Sequence, residues 1–260
     1  MSEIASTPPA TAKREALDGV ARVLGMLAAG LQTQGDAARE VALLAVRAEQ
    51  LAAQAWQFSK DRDPSGAVAA DLATEVALFI ADASVMSQRA SAEAAATRDV
   101  TAALDHQAED LRAAGRSLTG VDDITLIRAR LQPILDTLSA IPARLKSFTG
   151  IAADVSALGD RATQLAGRTS GLFENATVRG VTGVAIARDL RELANAAALV
   201  AKDLVKDNKA MRDTIAGMQT QALQLGVSGK PEGPAAVQIK SVIAAGRQAA
   251  RLRGMSWAAS

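Results

Sequence analysis

Apolar residues recur along the first part of the chain in steps of three, four and seven. Leu17, Val20, Leu24, Leu27, Leu31, Ala38, Val41, Leu44, Ala48, Leu51 and Ala55 form one such series. This spacing lays them on a single stripe of an α-helix and matches a coiled-coil seam; a strand would need a period of two. It predicts a helix over about residues 13–58. The run Lys60-Asp61-Arg62-Asp63-Pro64-Ser65-Gly66 stops it, because proline cannot continue a helix and glycine accepts left-handed geometry. A second helix is expected over about residues 67–116. The next break is Leu118-Thr119-Gly120-Val121-Asp122-Asp123, where either aspartate suits the N-cap of the helix that follows.

The second half repeats the first. With a shift of 114 residues, Arg47-Ala48-Glu49-Gln50-Leu51-Ala52 falls on Arg161-Ala162-Thr163-Gln164-Leu165-Ala166. The seam follows: Leu17, Val20, Leu24, Leu27 and Leu31 fall on Leu131, Ile134, Leu138, Ile141 and Leu145, and Val41 and Leu44 on Val155 and Leu158. The repeat implies an internal duplication in which each copy is a helical hairpin. The hairpins turn near residues 61–66 and 171–183, with arms of about 70 Å at 1.5 Å per residue. One hairpin alone exposes its seam, so the expected fold is all-α. It is an elongated antiparallel four-helix bundle made of two duplicated hairpins, followed by a short C-terminal helix. The organisation is a Ser/Thr/Pro-rich leader over residues 1–12, expected to be disordered, then hairpin repeats over 13–118 and 119–232 in one joint bundle. A linker and a basic helix make up 233–260.

Composition narrows the chemistry. Alanine accounts for 59 of the 260 residues, aromatics for six, with no Tyr, no Cys and one His. Small residues on the seam let helix backbones approach closely, so burial is expected from many thin layers. A disulfide framework and thiolate chemistry are excluded. Positive and negative side chains balance at 29 to 28, which gives no electrostatic case for nucleic acid. Residues 1–10 lack the apolar core of a secretory signal, and the longest charge-free stretch, 214–229, is too polar to span a bilayer. The expected location is cytoplasmic.

The hairpin tips carry a resemblance. Leu43-Leu44-Ala45-Val46-Arg47-Ala48, with Ala52-Ala53-Gln54-Ala55, is similar to the L-L-A-L-N-A-x-x-E-A-A-R-A run of bacterial chemoreceptor signalling domains. Gly183-Val184-Ala185-Ile186-Ala187-Arg188-Asp189-Leu190-Arg191-Glu192-Leu193-Ala194 resembles that family's G-F-A-V-V-A-x-E-V-R-x-L-A, one residue short. Ala73-Thr74-Glu75-Val76 with Phe79 echoes the same stretch in the first repeat. Both turns depart from the family's A-G-E-x-G-R-G. The resemblance implies a long antiparallel hairpin whose tip docks a coupling protein and a histidine kinase.

No catalytic constellation is evident. His106 has no second histidine with which to share a metal and is expected on an exposed helical turn. Adjacent acids, Glu109-Asp110 and Asp122-Asp123, point in different directions on a helix and suit solubility or capping. Dinucleotide and Walker glycine patterns are missing. The expectation is a non-enzymatic scaffold or signalling protein without cofactor or metal. Its candidate docking residues are Phe173, Glu174, Asn175, Val178 and Arg179 at the second tip. A second candidate surface is the C-terminal helix, with Lys240, Arg247, Arg251 and Trp257, which would pack on the bundle, on a partner or peripherally on a membrane. The alternative function is a structural or surface-coating coiled coil, granule-associated or cytoskeletal. The oligomeric state stays open.

Overall fold

The computed structural model describes residues 10–62, 67–118, 123–174 and 181–228. Four α-helices make up this part: α1 (Ala10–Arg62), α2 (Ala67–Ser117), α3 (Asp123–Glu174) and α4 (Val181–Ser228). No strand occurs among the described residues. Residues 1–9 of the expected leader, the C-terminal helix and residues 63–66, 119–122 and 175–180 lie outside them, whereas residues 10–12, expected in the leader, open α1.

α1 runs past its expected end to Arg62, and α4 is helical to Ser228. α3 also contains Pro133 and Pro142. Each removes a helix N–H and crowds the carbonyl four residues back, at a cost of about 3 kcal/mol for an isolated helix. Ile134, Leu138, Ile141 and Leu145 are all buried around them, so the seam holds the helix through both prolines.

Contacts divide the described chain into two compact units, and each draws a segment from every helix. Unit 1 comprises described residues within 10–32, 97–143 and 209–228. Its core is made of large aliphatic side chains: Leu17, Leu24, Leu27 and Leu31 from α1, Leu104 and Leu111 from α2, Leu131, Ile134 and Leu138 from α3, and Met211, Ile215 and Met218 from α4. Arg14 donates to the Leu118 carbonyl at 2.8 Å, closing the open end of the first hairpin. Gln107 joins α2 to α3 by donating to Thr137 Oγ1 at 2.7 Å and to the Pro133 carbonyl at 3.2 Å.

Unit 2 comprises described residues within 33–96 and 144–208. Fifteen of the 31 residues in its buried core are alanine. The thin-layer packing expected for the whole bundle is thus concentrated here. Phe79 and Phe148 are the large exceptions, both fully buried. Every helix in the unit has two antiparallel neighbours. Ser87 of α2 donates to the Ala42 carbonyl of α1, and Arg191 of α4 to Ser170 Oγ of α3. Gln34 of α1 donates to the Leu204 carbonyl of α4, and Arg89 of α2 bonds Asp154 of α3. The arrangement is an up-down-up-down four-helix bundle. Its α1–α4 and α3–α2 faces share one register. Moving Gln34 forward and Leu204 back by 114 residues gives Phe148 and Ala90, next to the place where Arg89 lies over Gly150.

Ten of the eleven seam residues in α1 are buried; Leu44 is half-buried against the same core. Two core amides interrupt the apolar layers of unit 2. Asn208, 3% exposed, donates to the Leu145 carbonyl at 3.1 Å and to Thr149 Oγ1 at 3.2 Å. Gln34, 1% exposed, makes the α1–α4 bond already described.

Close approach is testable at two glycines. A Cβ on Gly159 would lie 3.2 Å from both the Ala194 carbonyl oxygen and the Ala197 Cβ, so α3 and α4 would have to separate. A Cβ on Gly30 would meet the Met211 side chain at 3.3 Å, and that thioether can move aside. Gly159→Ala is expected to lower unfolding stability by about 1–2 kcal/mol, overpacking outweighing improved helix propensity. Gly30→Ala is expected to leave stability unchanged or raise it by up to about 1 kcal/mol. Urea denaturation of the two variants checks both values.

Candidate functional site

Within unit 2, α2 and α3 are stitched by ion pairs at heptad intervals. Glu75 pairs with Arg168 at 2.7 Å, Asp82 with Arg161, and Arg89 with Asp154 at 2.5 Å. Each step moves seven residues along both helices in opposite directions, so the rungs lie along one antiparallel face. Arg144 adds a bond to Glu93 at 3.2 Å, the most buried of these pairs. The sign of the third rung is reversed relative to the first two. A slip of one heptad therefore sets Asp82 against Asp154 or Arg89 against Arg161. The ladder disfavours both neighbouring registers.

Between the first two rungs lies an open groove of about 400 Å³, lined by Thr74, Glu75, Leu78, Phe79, Arg161, Gln164, Leu165 and Arg168. Phe79 and Leu165 are buried, whereas Leu78 is 60% exposed. An apolar contact is thus framed by two interhelical ion pairs. The groove offers arginine and carboxylate groups for polar contacts but no nucleophile–base pair.

The large apolar side chains left outside are unevenly distributed. Leu43, Val46, Trp56, Leu78, Val85, Val184, Leu199 and Val205 are exposed, and all eight belong to unit 2. They sit on α1, α2 and α4. Leu43 is 71% exposed and Val184 58%, although neighbouring seam residues are buried. Lys60 Nζ lies 5.5 Å from the centre of the Trp56 ring, a cation–π contact that covers one face of it.

No protein-family model, curated protein or solved structure matches the chain. The site therefore stands on its own geometry. Of the candidate residues from the sequence, Phe173 and Glu174 end α3, and their side chains lie outside the described structure. Asn175, Val178 and Arg179 lie outside the described residues, as do Lys240, Arg247, Arg251 and Trp257. His106 is 77% exposed, with Nε2 3.9 Å from Asp110, and Asp110 also lies 3.7 Å from Arg130. Asp123 opens α3. Among the described residues, no group of three or more His, Asp or Glu side chains could hold a metal ion. No described helix is long and apolar enough to cross a membrane.

Sequence inspection alone did not select the groove or the exposed apolar set. The heptad spacing of Glu75, Asp82 and Arg89, and of Asp154, Arg161 and Arg168, was visible. Matching the two series required knowing that α2 and α3 are neighbours.

The ladder makes a charge-reversal prediction. Arg89→Asp places two carboxylates across the third rung. It is expected to destabilise the protein by about 0.5–1 kcal/mol at low salt, the range for half-exposed pairs. Adding Asp154→Arg is expected to restore most of the loss, and raised salt to shrink the difference. Denaturation midpoints of the single and double variants at two salt concentrations measure this coupling.

Proposed function

We propose that this chain is a non-enzymatic, cytoplasmic helical scaffold that docks protein partners, as the signalling hairpins of chemoreceptors do. One observation carries the reading: every exposed large apolar side chain among the described residues lies in unit 2. Leu43, Val46 and Val184 lie within the segments that resemble the chemoreceptor signalling region. Exposed apolar side chains gathered in one part of a protein mark contact surfaces more often than chance. Partner candidates by this resemblance are a coupling protein and a histidine kinase. The tip residues Phe173, Glu174, Asn175, Val178 and Arg179 belong to the same proposed surface.

A second reading has its own support. Leu199, Val205 and Val85 lie along the helix arms, away from the turns, which suits a structural protein coating a hydrophobic surface.

Binding of the purified chain to a chemotaxis coupling protein and histidine kinase encoded in the same genome separates the two. Docking predicts a saturable complex, weakened at least about tenfold by combined Leu43→Ser, Val46→Ser and Val184→Ser, a loss of roughly 1.4 kcal/mol or more. The helical circular dichroism signal should be unchanged. Failure to bind either protein, together with adsorption to hydrocarbon droplets that Leu199→Ser and Val205→Ser abolish, would establish coating instead.

A further inference from the structure

We propose that unit 1 carries a binding site for a multiply phosphorylated anion, in the groove between α1 and α2. This groove, of about 490 Å³, is lined by Arg14, Asp18, Arg22, Arg112, Gly115 and Arg116. Arg14, Asp18 and Arg22 follow one another at four-residue steps on α1, and Arg112 and Arg116 do the same on α2. Such steps keep side chains on one face of each helix. The two faces meet because the helices approach closely. Gly115 is buried, and a Cβ there would lie 3.8 Å from the Leu17 Cβ and 4.0 Å from the Arg14 carbonyl oxygen.

The groove therefore holds four guanidinium groups and one carboxylate, in a chain whose net charge is only +1. Elsewhere several arginines are paired with acids. Arg39, Arg89, Arg130, Arg144, Arg161, Arg168 and Arg188 each have an acidic partner. Among the described residues, Arg14, Arg22, Arg112 and Arg116 have none. Like charges gathered on one groove repel, and an added anion removes that penalty. Guanidinium forks match phosphate oxygens two at a time, so four of them suit two or more phosphates held close together. No aromatic or large apolar side chain lines the groove, so nothing there would stack on a nucleobase. The chemistry selected is clustered phosphate, either free or carried by a lipid headgroup.

Calorimetry at fixed ionic strength, with the full chain, tests the site using tripolyphosphate as the free probe. Vesicles containing cardiolipin, whose headgroup bears two phosphates, are the lipid probe, and phosphatidylglycerol vesicles of equal charge are their control. Saturable binding is expected in at least one arm, weakened at least about tenfold by Arg112→Gln combined with Arg116→Gln. Arginine and glutamine have similar helix propensity, so the variant should keep its circular dichroism. Arg47→Gln combined with Arg98→Gln, which removes two exposed charges outside the groove, should change binding by less than about twofold. Binding of tripolyphosphate assigns a free ligand. Binding of cardiolipin vesicles alone, above the phosphatidylglycerol control, assigns a headgroup. The proposal is overturned if neither probe saturates or if both variants lose binding equally. Competition by duplex DNA as effective as tripolyphosphate would also overturn it, since any polyanion would then serve.

Discussion

Each of the four helices has one apolar stripe, and none can bury it alone. Mutual burial of these stripes is the constraint on which everything else in the molecule depends. It explains why α3 remains continuous through Pro133 and Pro142. The local cost of a proline is a few kcal/mol, while fully burying one Leu or Ile side chain returns about 1.5–3 kcal/mol. Four such side chains, Ile134, Leu138, Ile141 and Leu145, surround the two prolines. The two units meet the constraint in different ways. Unit 1 fills its interior with Leu, Ile and Met, whereas unit 2 brings its backbones together over alanine.

An alanine-rich interior creates a second problem. Knobs of one methyl group fit almost any neighbouring hole, so such a core resists helix sliding less than a core of Leu and Ile does. Register in unit 2 must then come from polar groups. The α2–α3 ladder supplies it through the reversed third rung, where a slip of one heptad opposes like charges. Asn208 and Gln34 supply it within the core, because sliding would strip their buried amides of the Leu145 and Leu204 carbonyls. An unmatched buried amide costs about 1–3 kcal/mol, more than the pair contributes when formed. These polar contacts therefore matter mainly by making the alternatives unfavourable.

How far the sequence discloses this follows from the range of each interaction. Helix existence and the inward stripe depend on spacings of three and four, so Leu17 to Ala55 could be placed almost entirely, with Leu44 only half-buried. The break expected at residues 61–66 falls between the end of α1 at Arg62 and the start of α2 at Ala67, whereas α3 and α4 extend into the expected 171–183 turn, to Glu174 and from Val181. Helix adjacency is a different matter. Two hairpins can pair in more than one way, and only the α2–α3 and α1–α4 contacts distinguish them. The ladder and the arginine groove depend on residues some 65 to 100 positions apart or on different helices. No local spacing reveals such partners. The candidate tip and C-terminal residues were chosen from resemblance and composition, and they fall where the described structure stops.

The two units also divide their surface chemistry. Unit 2 exposes apolar side chains while pairing Arg89, Arg161 and Arg168 with acids in the α2–α3 ladder. Unit 1 exposes none of the large apolar set and gathers four arginines with one aspartate on one groove. The division follows from what each core leaves available. Helices that approach over alanine bring the flanking charged positions of neighbouring helices within reach of one another, and those charges pair. The same thin core has little room for additional large side chains, so Leu43, Leu78 and Val184 remain outside. In unit 1 the leucine-rich core takes up the large apolar residues, and the groove between α1 and α2 carries an excess of positive charge. A ligand for unit 2 must then supply apolar area, and a ligand for unit 1 must supply negative charge. A single partner meeting both demands would be unusual, so the two surfaces are best understood as serving different ligands.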